Sequence, residues 1–105
     1  MRPVWHRHTA PGHAPVLDIG GEVGALIVYL AGDTPSGELD IEPTGRPAGR
    51  FHTGVHHRHV DGGDHAWVAV FPEVSQGAYD LLHDDGSPMA SVAVAGGQVE
   101  QLDLR

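Results

Sequence analysis

The chain has 105 residues, of which 40% are hydrophobic, a length and composition that suit one domain with one core. Its formal charge is -8 at pH 7. It contains no cysteine and no lysine, which excludes disulfides, thiolate metal sites and Schiff-base chemistry. The negative charge and the dispersed arginines disfavour nucleic-acid binding.

The first residues of the chain are rich in histidine and proline and show no hydrophobic period. We therefore expect residues 1–15 to be a flexible arm and residues 16–105 to form a single β-sandwich domain. This arm lacks the pattern of a signal peptide, and no run approaches the roughly 20 apolar residues of a membrane span. A cytoplasmic location is the expectation.

Short apolar or alternating segments, separated by turn residues, follow the arm. Residues 22–31 include the run GALIVYLA and predict a strand that is buried on both faces. Residues 38–42 alternate, which places Leu39 and Ile41 on one face and three carboxylates on the other. Residues 50–60 and 65–71 predict a hairpin across an Asp-Gly-Gly-Asp turn.

Further short strands are predicted at residues 77–82, 91–95 and 99–104. With residues 16–19 this makes seven or eight strands, and no segment predicts a helix longer than one turn. The pattern predicts an all-β fold, a single immunoglobulin-like or prealbumin-like antiparallel sandwich.

The stretch from Val70 to Leu104 carries a strand, a short loop, the pattern G-x-Y-x-L, the pattern V-x-V-x-x-G and a last strand. The residues of this pattern are Phe71, Gly77, Tyr79, Leu81, Val92, Val94 and Gly97. It resembles the closing half of prealbumin-like, carboxypeptidase-regulatory-like and collagen-adhesin-B-type sandwiches. That resemblance implies an accessory, adhesive or carrier module rather than an enzyme.

One enzyme with this fold, the transthyretin-like hydrolase, has an opening strand that His13 and the Val16-Leu17-Asp18 run resemble. That family closes with a Tyr-Arg-Gly-Ser tail, whereas residues 101–105 here read Gln-Leu-Asp-Leu-Arg. Hydrolase activity is therefore the less favoured alternative, and no catalytic residue is predicted.

Five of the nine histidines lie between residues 51 and 65, and strand parity determines which of them can act together. One face of the predicted strand carries Phe51, Thr53, Val55, His57 and His59. The other face carries Arg50, His52, Gly54, His56 and Arg58. A two-residue hairpin loop would place Val55 on the same face as Ala66, Val68 and Val70, with Trp67 on the outer face.

Only the His57-Arg58-His59 segment has a chelating spacing on one face. A transition-metal site would use His57 and His59 with Asp64 or His65, and His13 or His83 are further possible ligands. Imidazole ligands suit zinc, nickel or copper. This metal-binding function is the alternative to a non-catalytic binding or accessory module.

The favoured prediction is a non-catalytic binding or accessory module without a cofactor, whose partner is a protein or a second copy of the chain. Its possible binding surface comprises Arg50, His52, His56, Arg58 and Trp67. A homodimer is expected because sandwiches of this size keep open edges that must be covered. A third possibility is a response to pH, because the nine histidines could move the charge from -8 to +1 on acidification.

Overall fold

The computed structural model describes residues 19–59 and 65–105, and β-strands dominate both ranges. The strands are β1 (Val23–Leu30), β2 (Glu38–Pro43), β3 (Phe51–His59), β4 (His65–Ser75), β5 (Gly77–Leu82), β6 (Pro88–Val94) and β7 (Val99–Leu104). In the same ranges the only helical element is a 3-10 turn at Pro47–Gly49, so these residues contain no candidate for a membrane-spanning helix. The all-β prediction is confirmed. The predicted arm of residues 1–15 lies outside the described residues, as does most of the predicted strand at 16–19.

All seven strands belong to one sheet, with the order β6-β5-β2-β3-β4-β1-β7. Every pairing is antiparallel except that of β1 with β7, which is parallel, so the prediction of a wholly antiparallel sheet is wrong. The cause is the turn before β7, which is anchored at the start of β1. Its Gly97 N–H donates to the Val23 carbonyl, and its Gln98 carbonyl accepts from the Ala25 N–H. β7 therefore begins beside the beginning of β1 and runs in the same direction.

Strand β3 joins the two halves of the sheet by changing partners along its length. Residues 51–54 pair with β2, and residues 55–59 pair with β4. The two ends of the sheet, β6 and β7, approach each other. The result is a seven-stranded mixed sheet that is nearly barrel-shaped.

The core lies inside this curved sheet and is built from alternate residues of its strands. The largest side chains that are fully buried there are Leu26, Val28, Leu39, Ile41, Val74 and Leu81. On β2, Leu39 and Ile41 are both 0% exposed, whereas Glu38 is exposed and the carboxylates of Asp40 and Glu42 are half-buried. This is the alternation that the sequence predicts for a strand with one face toward the core.

Candidate functional site

The register of the β3–β4 hairpin decides which histidines share a face. His59 pairs with His65, His57 with Trp67, and Val55 with Ala69. Five residues therefore separate His59 from its partner His65, whereas the predicted hairpin loop had two residues. An even loop and an odd loop differ in parity, and a shift of one residue turns every side chain of β4 to the opposite face. The prediction that Val55 shares a face with Ala66, Val68 and Val70 is therefore wrong.

The same shift corrects the predicted position of Trp67. Instead of lying on the outer face near Arg58 or His56, it lies on the face of Val55 and is half-buried against the core. Its indole ring meets the His57 imidazole at a centroid distance of 5.0 Å. Trp67 therefore lies at the inner end of a row of aromatic rings that begins with His57.

Three imidazoles continue outward from the indole along the hairpin. The rings of His57 and His65 are stacked, with centroids 4.9 Å apart and planes inclined by 14°. The ring of His59 follows, with its centroid 4.0 Å from that of His65. All three histidines are exposed. We call the set His57, His59, His65 and Trp67 the imidazole strip.

The orientation of the rings determines what the imidazole strip can do chemically. The lone pair of an imidazole nitrogen lies in the plane of its ring, so two rings stacked face to face direct their nitrogens side by side and not toward a common point. Within residues 19–59 and 65–105, no group of three histidines or carboxylates is arranged to hold a metal ion. The predicted ligands Asp64 and His13 lie outside the described residues, and His83 lies in the turn between β5 and β6.

Two of the residues predicted for a binding surface are instead paired with the carboxylates of β2. The Arg50 guanidinium contacts Asp40, with Nε to Oδ2 at 2.6 Å, and His52 Nε2 lies 3.1 Å from Glu38 Oε2. Both pairs are on the outer face of the β2–β3 pairing and are partly or largely exposed. As exposed cross-strand pairs they contribute about 0.2–1 kcal/mol each.

The other two predicted surface residues, His56 and Arg58, lie on the face of β3 opposite the imidazole strip. They flank a shallow groove of about 250 Å³ whose floor includes Val68, Val70 and Pro72. The His56 ring lies over Gly54, where an added Cβ would be 3.2 Å from its Nε2. The structure therefore divides the five histidines of residues 51–65 into the His52 pair, the His56 groove and the imidazole strip.

A larger cleft opens at the other end of β3, and no sequence pattern predicted it. It has a volume of about 660 Å³, and its lining includes Phe51, Tyr79, Arg46 and Glu73. Burial raises the pKa of the Tyr79 phenol, so this hydroxyl stays protonated and donates to the Ser75 carbonyl at 2.5 Å. The only sequence signal there was the turn chemistry of residues 43–49, which does not reveal what the turn faces.

Comparison with protein-family models, with curated proteins and with solved structures finds no match to this chain.

Proposed function

We propose that the protein is a non-catalytic binding module of the cytoplasm, and that the imidazole strip is its binding surface. The observation that carries this proposal is the row of three exposed imidazoles that continues from a half-buried indole. Aromatic side chains with a polar edge are typical of protein interfaces, because they bury a large area and lose little conformational entropy. The half-buried Trp67 supplies the apolar end of this surface, and the exposed histidines supply ring nitrogens that can form hydrogen bonds.

A second copy of the chain is the partner that we propose. Each copy has a formal charge of -8, so two copies repel each other at neutral pH over most of their surfaces. The side chains of the imidazole strip carry no carboxylate, which makes this surface one where copies approach with little repulsion. A twofold axis would bring each strip against the other, as in isologous dimers.

The test is sedimentation equilibrium of the full chain at neutral pH. We expect reversible dimerisation with a Kd of about 100 μM or tighter. The double variant His57→Ser with Trp67→Ser should be monomeric over the same range. The matched control is His56→Ser with Arg58→Ser, which changes the opposite face of the same strand and should dimerise like the wild type.

Two results would contradict the proposal. One is a wild-type chain that stays monomeric at millimolar concentration, and the other is a dimer that persists in the strip variant but is lost in the control. Circular dichroism of each variant shows whether it retains its strands, so that a loss of association is not confused with unfolding.

The alternative function, binding of zinc, nickel or copper, is supported by the short distances between the rings of His57, His59 and His65. Binding would require rotation of the side chains, since the rings of His57 and His65 are stacked and no three ligands among the described residues are arranged around a metal position. Titration of metal-free protein with each metal tests it, with His59→Ala and His65→Ala as a double variant. Binding tighter than millimolar that disappears in this variant would favour metal binding over the proposal above.

For the fold, we propose that the two halves of the curved sheet form a prealbumin-like sandwich. Support comes from the partition of strands at β3: one half-sheet contains β2, β5 and β6, and the other contains β4, β1 and β7. Both halves contribute side chains to one core, such as Leu39 and Leu81 from the first and Leu26 and Val28 from the second. A core between two facing half-sheets is the arrangement of a β-sandwich.

A further inference from the structure

The cleft near the start of β3 exists because β3 leaves β4 there. Residues 55–59 of β3 pair with β4, but residues 51–54 pair with β2, so β4 has no β3 partner from Val70 to Ser75. The space between the diverging strands is the cleft of about 660 Å³. A volume of this size lies within the range of small-molecule sites, about 300–1,000 Å³.

The apolar part of the cleft is preformed. Phe51 packs edge to face against Phe71, with centroids 5.7 Å apart, and against Tyr79, with centroids 6.2 Å apart. The Tyr79 hydroxyl is fixed by its hydrogen bond to the Ser75 carbonyl. Rings held in this way offer a ligand an apolar surface without the entropic cost of ordering side chains.

Two opposite charges border this aromatic surface. Arg46 follows the turn that ends β2, where its N–H donates to the Pro43 carbonyl and Gly45 takes a φ of +77°. Glu73 lies in a bulge of β4, where Pro72 and Glu73 together oppose the single residue Ala25 of β1. Bulges re-aim side chains, and they are frequent beside binding sites.

Neither of these charges is neutralised by a neighbour within the described ranges. Arg46 and Glu73 form no ion pair with each other or with any other residue there, and both side chains are exposed. Arg50, in contrast, is held by Asp40. The cleft thus presents one cation, one anion and an aromatic floor.

We propose that this cleft binds a small zwitterion with an apolar side chain, of the size of an amino acid or a dipeptide. The guanidinium of Arg46 binds the ligand carboxylate, for which its planar array of donors is suited. The Glu73 carboxylate binds the ligand ammonium group. The rings of Phe51 and Tyr79 contact the apolar side chain. This site is separate from the imidazole strip and does not depend on it.

The test is a chemical-shift titration of the labelled full chain with the dipeptide Ala-Phe. We expect saturable shifts at the amides of Phe51, Gly77 and Ala78, with a Kd below about 10 mM. N-acetylation of the dipeptide, or amidation of its carboxyl end, should each weaken binding about tenfold. Arg46→Gln should abolish the effect of amidation, and Glu73→Gln should abolish the effect of acetylation.

Arg58→Gln and Glu22→Gln are matched controls, because they remove the same charges from exposed positions outside the cleft. Both should bind the dipeptide as the wild type does. The proposal is overturned by the absence of shifts at about 10 mM dipeptide, by equal affinity for the free and blocked peptides, or by shifts that map away from the cleft.

Discussion

The substitution Gly96→Ala tests how the curved sheet is held closed. Gly96 lies in the turn between β6 and β7, and a Cβ added there would be 2.0 Å from the Gly21 carbonyl oxygen and 2.9 Å from the Glu22 Cα. Both contacts are with backbone atoms, so a side-chain rotation cannot relieve them. The turn would have to move away from the start of β1.

The cost follows from what this turn holds. Its movement would break two hydrogen bonds, from the Gly97 N–H to the Val23 carbonyl and from the Ala25 N–H to the Gln98 carbonyl. Each contributes about 0.5–1.5 kcal/mol. Overpacking adds about 1–3 kcal/mol. We expect Gly96→Ala to lower the free energy of unfolding by about 2–6 kcal/mol, a large fraction of the stability of a small domain.

Urea unfolding, followed by circular dichroism, measures this change, and two glycines serve as controls. Gly97→Ala should cost about 1–2 kcal/mol, since Gly97 has a φ of +74° but open space at the Cβ position. Gly32→Ala meets nothing within 4 Å and should have little effect. A Gly96→Ala variant as stable as the Gly32→Ala control would refute the reasoning.

Three further predictions concern the core, the cleft and the last strand. Leu81→Ala, at a fully buried position, should lower the free energy of unfolding by about 2–5 kcal/mol in urea, whereas a loss below about 1 kcal/mol would argue against the described core. Tyr79→Phe removes the hydrogen bond to the Ser75 carbonyl and should cost about 1 kcal/mol by the same assay, and an unchanged stability would mean that this bond is not formed. Hydrogen bonds from the Arg105 side chain lower the pKa of the Asp103 carboxyl to about 2, so any stability from this pair is present above about pH 4 and is lost as the pH falls through about 2. Carbon-13 titration should show that midpoint, and Arg105→Gln should return it toward about 3.9; equal midpoints in both chains would contradict the assignment.

The strands could be predicted from the sequence because each depends on a local pattern. The alternation of residues 38–42 places Leu39 and Ile41 in the core, and the continuous apolar run of residues 24–30 becomes a strand with neighbours on both sides. These outcomes follow from the two-residue repeat of a strand and from the burial of apolar side chains. No long-range information is needed for either. The predicted burial of both faces of β1 is wrong, because Ile27 and Tyr29 on its outer face are only half-buried.

The face of Trp67 could not be predicted because it depends on the parity of one loop. The glycines at 62 and 63 fit a two-residue turn, yet the pairing of His59 with His65 requires an odd number of residues between them. A difference of one residue moves Trp67 from the outer face to the imidazole strip. The local sequence does not show which two residues form the last pair before the loop.

The cleft and the parallel pairing of β7 were missed for a related reason. Arg46 and Glu73 come from separate segments, and only the divergence of β3 from β4 brings them to one opening. The direction of β7 depends on hydrogen bonds between its preceding turn and the start of β1, far away in the chain. Neither contact leaves a periodic signal in the sequence.

The grouping of His57, His59, His65 and Trp67 on one face is the claim on which the proposed function depends, and cysteine pairs test it directly in a chain that has no cysteine. A disulfide needs Cα atoms about 4.4–6.8 Å apart and Cβ atoms that face each other. In the register that pairs His57 with Trp67, the double variant His57→Cys with Trp67→Cys oxidises readily to an intramolecular disulfide, while His57→Cys with Ala66→Cys and His57→Cys with Val68→Cys do not. Faster oxidation of either of the last two pairs would place Trp67 on the opposite face and contradict the imidazole strip.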